Sequence, residues 1–213
     1  MLNMSTPLDL IMLPGSRRSG GIAPATVQRC VDMETERNPN ADTSSRRTAA
    51  GGFCVSLLHL GDLAHLAAFY ERLTPAVTEH FVPDGFTGPD RLADHLASAT
   101  DGDAISYGLT SRDGHISGHA FVEPLWDGPP VLGIGLEEHL IGCGLGAELM
   151  RAALADCDAL ALPVVTLTVV KTNLRARSLY LGFGFVARGE ATFRRPGDSL
   201  YMERRLGGRD GSA

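Results

Sequence analysis

The chain has 213 residues, 44% of them apolar, with 19 Lys and Arg against 25 Asp and Glu for a formal net charge of -6. That length builds one substantial core and seldom two, and the acidic balance excludes a general nucleic-acid binder, which needs a basic face to displace counterions. No apolar run approaches the ~20 residues that a bilayer-spanning helix requires, so no membrane partner is expected.

Residues 1–52 are rich in Ser, Thr, Asn, Pro, Gly and Arg, and residues 34–47 lack apolar periodicity. Such a stretch buries too little surface to offset its ordering entropy. A flexible, disordered arm is expected there, with one short helix near Thr26–Met33. Leu8–Leu13 is apolar but has no basic region before it and ends at Pro14-Gly15, so it makes a poor secretory signal. The four cysteines form no CxxC pair, which argues against a disulfide framework and for a reducing cytoplasm.

One folded domain is expected over residues 53–206, with a disordered tail at 207–213. Phe53–Leu58 reads as a strand. Asp62 is placed to cap a helix through Leu73, since Leu63, Leu66, Ala67, Tyr70 and Leu73 recur at helical spacing. Pro75 and the Pro83–Gly88 cluster punctuate the stretch after that helix, and Pro89 suits the first turn of a second helix to about Ala99. Ala104–Thr110 and Ile116–Val122 read as strands joined by an Asp113-Gly114 hairpin turn, and Val131–Leu136 as the third strand of a meander. A helix from about Leu145 to Leu160 comes after a glycine-rich loop. Val164–Val170 is a β-branched run, as in a strand covered on both faces. A short helix over Asn173–Leu181 and strands at Phe185–Arg188 and Leu200–Arg204 complete the order.

The loop Gly142-Cys143-Gly144-Leu145-Gly146 lies between a strand and a helix. Glycines let the backbone approach an anion closely, and the helix N-terminus supplies N–H donors and a favourable dipole. This chemistry names an anion site, or a tight turn without a ligand. A P-loop would require Gly-Lys-Ser/Thr, but Ala147 and Glu148 come after Gly146. A dinucleotide fingerprint would require GxGxxG after the first strand of a βαβ unit and an acid ending the next strand. Here the spacing is GxGxG and that strand ends in Val170-Lys171. His115 and His119 stand on a hairpin with no third ligand in sight, so no metal is expected.

Two segments resemble the GNAT superfamily of N-acetyltransferases. Ile141-Gly142-Cys143-Gly144-Leu145-Gly146 is similar to its Arg/Gln-x-x-Gly-x-Gly/Ala loop at Gly144 and Gly146, with Ile141 in the first position. Residues 173–185 match its Asn-x-x-Ala-x-x-x-Tyr-x-x-x-Gly-Phe pattern at Asn173, Ala176, Tyr180, Gly184 and Phe185. The resemblance implies an α/β domain with a mixed, mostly antiparallel central sheet flanked by helices, and a cleft where Val131–Leu136 parts from Val164–Val170. It also implies acetyl-CoA or another short acyl-CoA as co-substrate. Ile141, Gly142, Cys143, Gly144, Leu145 and Gly146 would surround the pyrophosphate through backbone donors. Asn173 and Ala176 would line the pantetheine arm, and a backbone N–H between Leu136 and Glu138 would polarise the thioester. Tyr180 would protonate the leaving thiolate.

Transfer to an amine also needs a base or a water relay. The strand Val131–Leu136 offers no titratable side chain, and Val131 stands where the family places a Glu. Glu123, Glu137, Glu138 and His139 are the nearby substitutes, with Glu123 and His139 the catalytic candidates. The acceptor is a small-molecule or protein amine, selected by loops near Phe81–Phe86, Pro124–Pro130 and Arg194–Ser199. A homodimer is compatible with this reading. The alternative is an acyl-CoA-binding regulatory module without turnover.

Overall fold

The computed structural model describes residues 52–81, 88–191 and 197–205, and the backbone of 29–31. Eight strands form one sheet in the order β1-β2-β3-β4-β5-β6-β8-β7. They are β1 (Arg29–Val31), β2 (Phe53–Leu57), β3 (Ile105–Ser111), β4 (Ile116–Glu123), β5 (Val131–Leu136), β6 (Val164–Val170), β7 (Val186–Glu190) and β8 (Ser199–Arg205). Every pairing is antiparallel except β5 with β6. The expected mixed, mostly antiparallel sheet is therefore present.

The helices are α1 (Leu63–Arg72), α2 (Pro75–Phe81), α3 (Pro89–Asp101), α4 (Leu145–Ala159) and α5 (Leu174–Gly182). The two-residue period of β4 sorts the core into two layers. Ala120 and Val122 face a cluster with Leu145, Leu149, Met150, Leu167, Tyr180 and Phe185. Phe121 faces Leu66, Phe69, Leu92 and Leu96 beneath α1 and α3. Each fully buried leucine contributes about 1.5–3 kcal/mol of transfer free energy, so α4 and α3 are fixed to the sheet mainly by such side chains. Gly133 and Gly135 leave room on the α1–α3 side of β5 for the rings of Phe121 and Phe81.

Three local expectations change. The helix expected near Thr26–Met33 is a strand at Arg29–Val31, with Cys30 opposite Cys54. An isolated helix of about eight residues is marginal in water, whereas pairing with the edge of β2 satisfies the backbone of Arg29–Val31 at once. The rest of the arm and the 207–213 tail lie outside the described residues. A third helix, α2, occupies what Pro75 was expected to interrupt, because proline is at home in a first turn. Asp62 does precede α1, but its carboxylate accepts from His59 N–H at 2.8 Å and closes the 3₁₀ turn Leu60–Asp62 instead of capping α1.

Candidate active site

β5 and β6 touch at one end only. Val131 is registered with Thr166, whose N–H and Oγ1 both donate to the Pro130 carbonyl, at 2.7 and 2.9 Å. Beyond that point β6 pairs with β8 and β5 with β4, so a wedge opens between them. Glu137 N–H donates to Ser117 O at 3.0 Å, which fixes the phase of the β4–β5 ladder. By the alternation of an antiparallel ladder, the N–H groups of Ile134 and Leu136 then point away from β4 into the wedge. The Leu136 side chain turns the other way, toward Gly118 and Gly146.

At the wide end, β5 leads through a 3₁₀ turn (Glu138–Leu140) to the glycine loop. Gly142 and Gly144 have φ of 92° and 83°, the left-handed region that favours glycine. Gly144 is the N-cap of α4 and brings no side chain to its first turn. Cys143 N–H donates to Leu140 O at 3.3 Å and Ala147 N–H to Gly144 O at 2.9 Å. The N–H groups of Gly144, Leu145 and Gly146 have no acceptor among the described residues. A Cβ on Gly144 would meet nothing within 4 Å, so the space before these donors is open. Donors, dipole and space fit a phosphate. Cys143 contributes to the shape of the loop and spends its own N–H inside it. Ile141 is 41% exposed and brings no polar atom from its side chain.

α5 follows β6 in the chain and packs beside the glycine loop, through Leu179 near Gly146 and Arg175 near Gly142. Asn173 is its N-cap, with Oδ1 accepting from Ala176 N–H at 3.1 Å, so the side chain that the family pattern assigns to the pantetheine arm also starts the helix. Ala176 and Leu179 pack on the α4 side of the core. Tyr180 is buried with its ring centroid 6.0 Å from that of Phe185. Burial pushes its phenol up to about 12, so it carries its proton at neutral pH. Its hydroxyl has no hydrogen-bond partner among the described residues.

Glu123 and His139 stand at opposite ends of β5. Glu123 is opposite Val131, near the apex, and His139 is in the turn after Leu136. The five steps between Val131 and Leu136 span about 17 Å, so one acceptor nitrogen cannot contact both. Glu123 Oε2 lies 2.5 Å from His95 Nδ1 and Oε1 accepts from Arg91 Nη2. Burial alone would raise its pKa; hydrogen bonds and charge from His95 and then Arg91 outweigh this and hold it below the usual carboxylate value. It is therefore ionised and a modest base. His139 is 65% exposed on an open cavity of about 550 Å³, whose other lining residues are Arg72, Thr74, Glu137 and Glu138. Glu137 is bonded there to Arg72 at 2.9 Å and Glu138 to Thr74 Oγ1 at 2.8 Å.

Residues 66–185, more than half of the chain, match the acetyltransferase (GNAT) family. The chain belongs to that family. Its fold is similar to that of ribosomal-protein-S5-alanine acetyltransferase from Vibrio fischeri, with a TM-score of 0.62, 16% identity, and coverage of 73% of this chain and 94% of that one. The PaiA N-acetyltransferase of Thermoplasma acidophilum, solved in complex with coenzyme A, gives a TM-score of 0.61 at 15% identity, over 72% of this chain and 99% of that one. The spermidine/spermine N-acetyltransferase SpeG of Vibrio cholerae gives 0.55 at 18% identity, over 72% and 93%. Comparison with curated protein sequences gave no match.

In this GNAT chain the residues missed at the sequence level are Arg91 and His95. They sit one turn apart on α3, interleaved with the core residues Leu92 and Leu96, and only the docking of α3 on β4 brings them to Glu123. Of the loops expected to select the acceptor, residues 82–86 and 194–196 lie outside the described residues. No group of three His, Cys, Asp or Glu that could hold a metal occurs among the described residues, and none of their helices is long and apolar enough to cross a membrane.

Proposed function

We propose that this chain moves an acetyl or other short acyl group from acyl-CoA to a primary amine by direct attack, without a covalent enzyme intermediate. The observation that carries the reading is the wedge between β5 and β6, with the uncapped N-terminus of α4 at its wide end. Gly144, Leu145 and Gly146 hold the pyrophosphate through their N–H groups, and the pantetheine arm runs along the open edge of β5 toward the apex. Ile134 or Leu136 N–H polarises the thioester carbonyl, a fixed dipole that needs no reorganisation as charge develops.

The neutral amine nitrogen attacks the carbonyl carbon. A C–N bond forms, the C–S bond breaks, and the sulfur leaves with the bonding pair, stabilised by a hydrogen bond from the Tyr180 hydroxyl. The proton lost by the amine passes through water to Glu123. That carboxylate shares its sheet face with the open floor at Val131, and its charge favours an approaching ammonium. His139 is the second candidate base. The acceptors named for two structural neighbours, a ribosomal-protein alanine and spermidine or spermine, are amines, which supports the acceptor class. The reaction is assigned to the cytoplasm.

A thiol-release screen of acetyl-CoA against amino acids, polyamines and N-terminal peptides tests the proposal, with CoA affinity measured in parallel. Turnover with an amine is expected. On that acceptor, Glu123→Gln is expected to lower kcat/KM by about 10²-fold, the low end for a general base. His139→Ala is expected to change it less than twofold or so; the reverse order moves the base to His139. Two observations favour a second reading, a regulatory acyl-CoA-binding module. β5 carries no titratable side chain, and Glu123 is already engaged by Arg91 and His95. CoA binding with no turnover across the whole screen would establish that module and overturn catalysis.

A further inference from the structure

Three cations lie shortly after β6 in the chain, and two are engaged. Lys171 Nζ bonds Glu190 Oε1 at 2.5 Å and the Gly197 carbonyl at 2.6 Å, while Arg177 Nη1 donates to the Lys171 carbonyl at 3.0 Å. Arg175, in the first turn of α5, has no ion pair or hydrogen bond among the described residues. Its guanidinium lies against Gly142, the first glycine of the loop. A Cβ built on Gly142 would stand 2.5 Å from Arg175 Nη1 and 3.3 Å from Cζ. The φ of 92° favours glycine at 142, and the bare backbone there leaves room for the guanidinium.

The electrostatics of this arrangement are one-sided. The N-terminus of α4 is the positive end of its dipole, with three N–H groups left open, and Arg175 brings a full positive charge to Gly142, two residues before the N-cap Gly144. The acidic groups around the loop are committed elsewhere: Glu137 to Arg72, Glu138 to Thr74, and Glu148 to Arg151 at 2.5 Å. An anion placed between these like-signed groups would be attracted by both. The loop itself lacks a cation, because its first signature position is Ile141.

We infer that Arg175 is the side-chain ligand of the acyl-CoA diphosphate, reaching from α5 to supply the charge that Ile141 does not. The inference rests on the acyltransferase reading above and adds a ligand that neither the loop nor its backbone contains. A planar guanidinium with several N–H donors suits phosphate oxygens better than a point charge does. Its arrival from α5 also ties that helix, and Tyr180 one and a half turns further on, to the presence of the cofactor.

Calorimetry with CoA, dephospho-CoA and pantetheine on wild type, Arg175→Gln and Arg175→Lys tests the inference. Arg175→Gln is expected to weaken CoA and dephospho-CoA alike by roughly 10-fold, the scale of one charge-assisted hydrogen bond, and to leave pantetheine unchanged. Arg175→Lys should fall between the two and serves alone where the Gln variant melts early. An unchanged CoA affinity in both variants overturns the assignment. So does a loss confined to CoA, which would move the contact to the 3′-phosphate. A wild-type chain that binds no CoA overturns the acyltransferase reading itself, and Arg175's role with it.

Discussion

The Tyr180 phenol is buried beside Phe185, keeps its proton at neutral pH, and has no partner for its hydroxyl among the described residues. A thiol ordinarily ionises near pH 8.5, whereas this phenol is pushed up to about 12. Full transfer from phenol to thiolate is then uphill by a factor of roughly 10³. In the proposed reaction Tyr180 would therefore act chiefly as a hydrogen-bond donor to sulfur as negative charge builds. Tyr180→Phe keeps the ring against Phe185 and removes only that donor. The expected loss in kcat is about 10²-fold, the low end for a general acid, with CoA affinity little changed. Such a pattern marks an interaction made in the transition state. Steady-state kinetics and a CoA titration on the same variant check it. Full activity would leave Tyr180 as a packing residue, and loss of binding together with turnover would give it a structural role.

α4 begins without a side-chain cap, and the consequence belongs to the element as a whole. Its first-turn donors and its dipole stay available only while Gly144 remains bare. Gly144→Asp brings a carboxylate to the proposed place of the phosphate, where it would compete for the helix donors and repel the cofactor. CoA binding is expected to vanish in calorimetry. The variant Gly144→Asn tolerates the left-handed backbone equally and competes for the same donors but carries no charge, so it should weaken CoA binding without abolishing it. An Asp variant that binds CoA normally would overturn the loop assignment. Most elements were legible because local pattern specifies them: the Asp113-Gly114 turn, the β-branched run of β6, and the glycines before α4. The wedge was legible only through the family resemblance. β1 was not, since its partner β2 lies some two dozen residues on and no local signal carries that pairing. α2 was hidden because a proline that opens a helix and one that interrupts it look alike in sequence. The Glu123–His95 contact joins residues 28 apart and depends on how α3 lies across β4.

Across the whole molecule, the α1–α3 layer rests on a buried polar row that responds to acid. His119 is fully buried, with Nδ1 2.9 Å from Tyr70 Oη and Nε2 3.0 Å from Ser106 Oγ, and the His95 ring centroid is 5.5 Å away. A neutral imidazole satisfies both contacts, one nitrogen donating and the other accepting. Burial, and then repulsion from His95, holds its pKa well below the ordinary 6.5. Between those two values the unfolded chain binds a proton that the folded chain refuses, so stability falls as pH drops below about 6.5. Glu123 adds a second step of the same sign. Its folded pKa is depressed, so the stabilisation it gives is present above the ordinary 4.5 and is lost as pH falls through the folded value. Asp156 works against this at the acid end. Burial raises its pKa, while the hydrogen bond from Tyr107 at 2.9 Å offsets part of that rise. Its protonation favours the folded chain as pH falls toward 3.8. The melting temperature is therefore expected to decline from neutral pH to about pH 5, and to fall further beyond Glu123's titration. His119→Asn should melt lower throughout, because one of two buried contacts is lost, and should show a flatter slope between neutral pH and about pH 5. A slope there identical to that of the wild type would remove His119 as its source and leave the acid response to other groups.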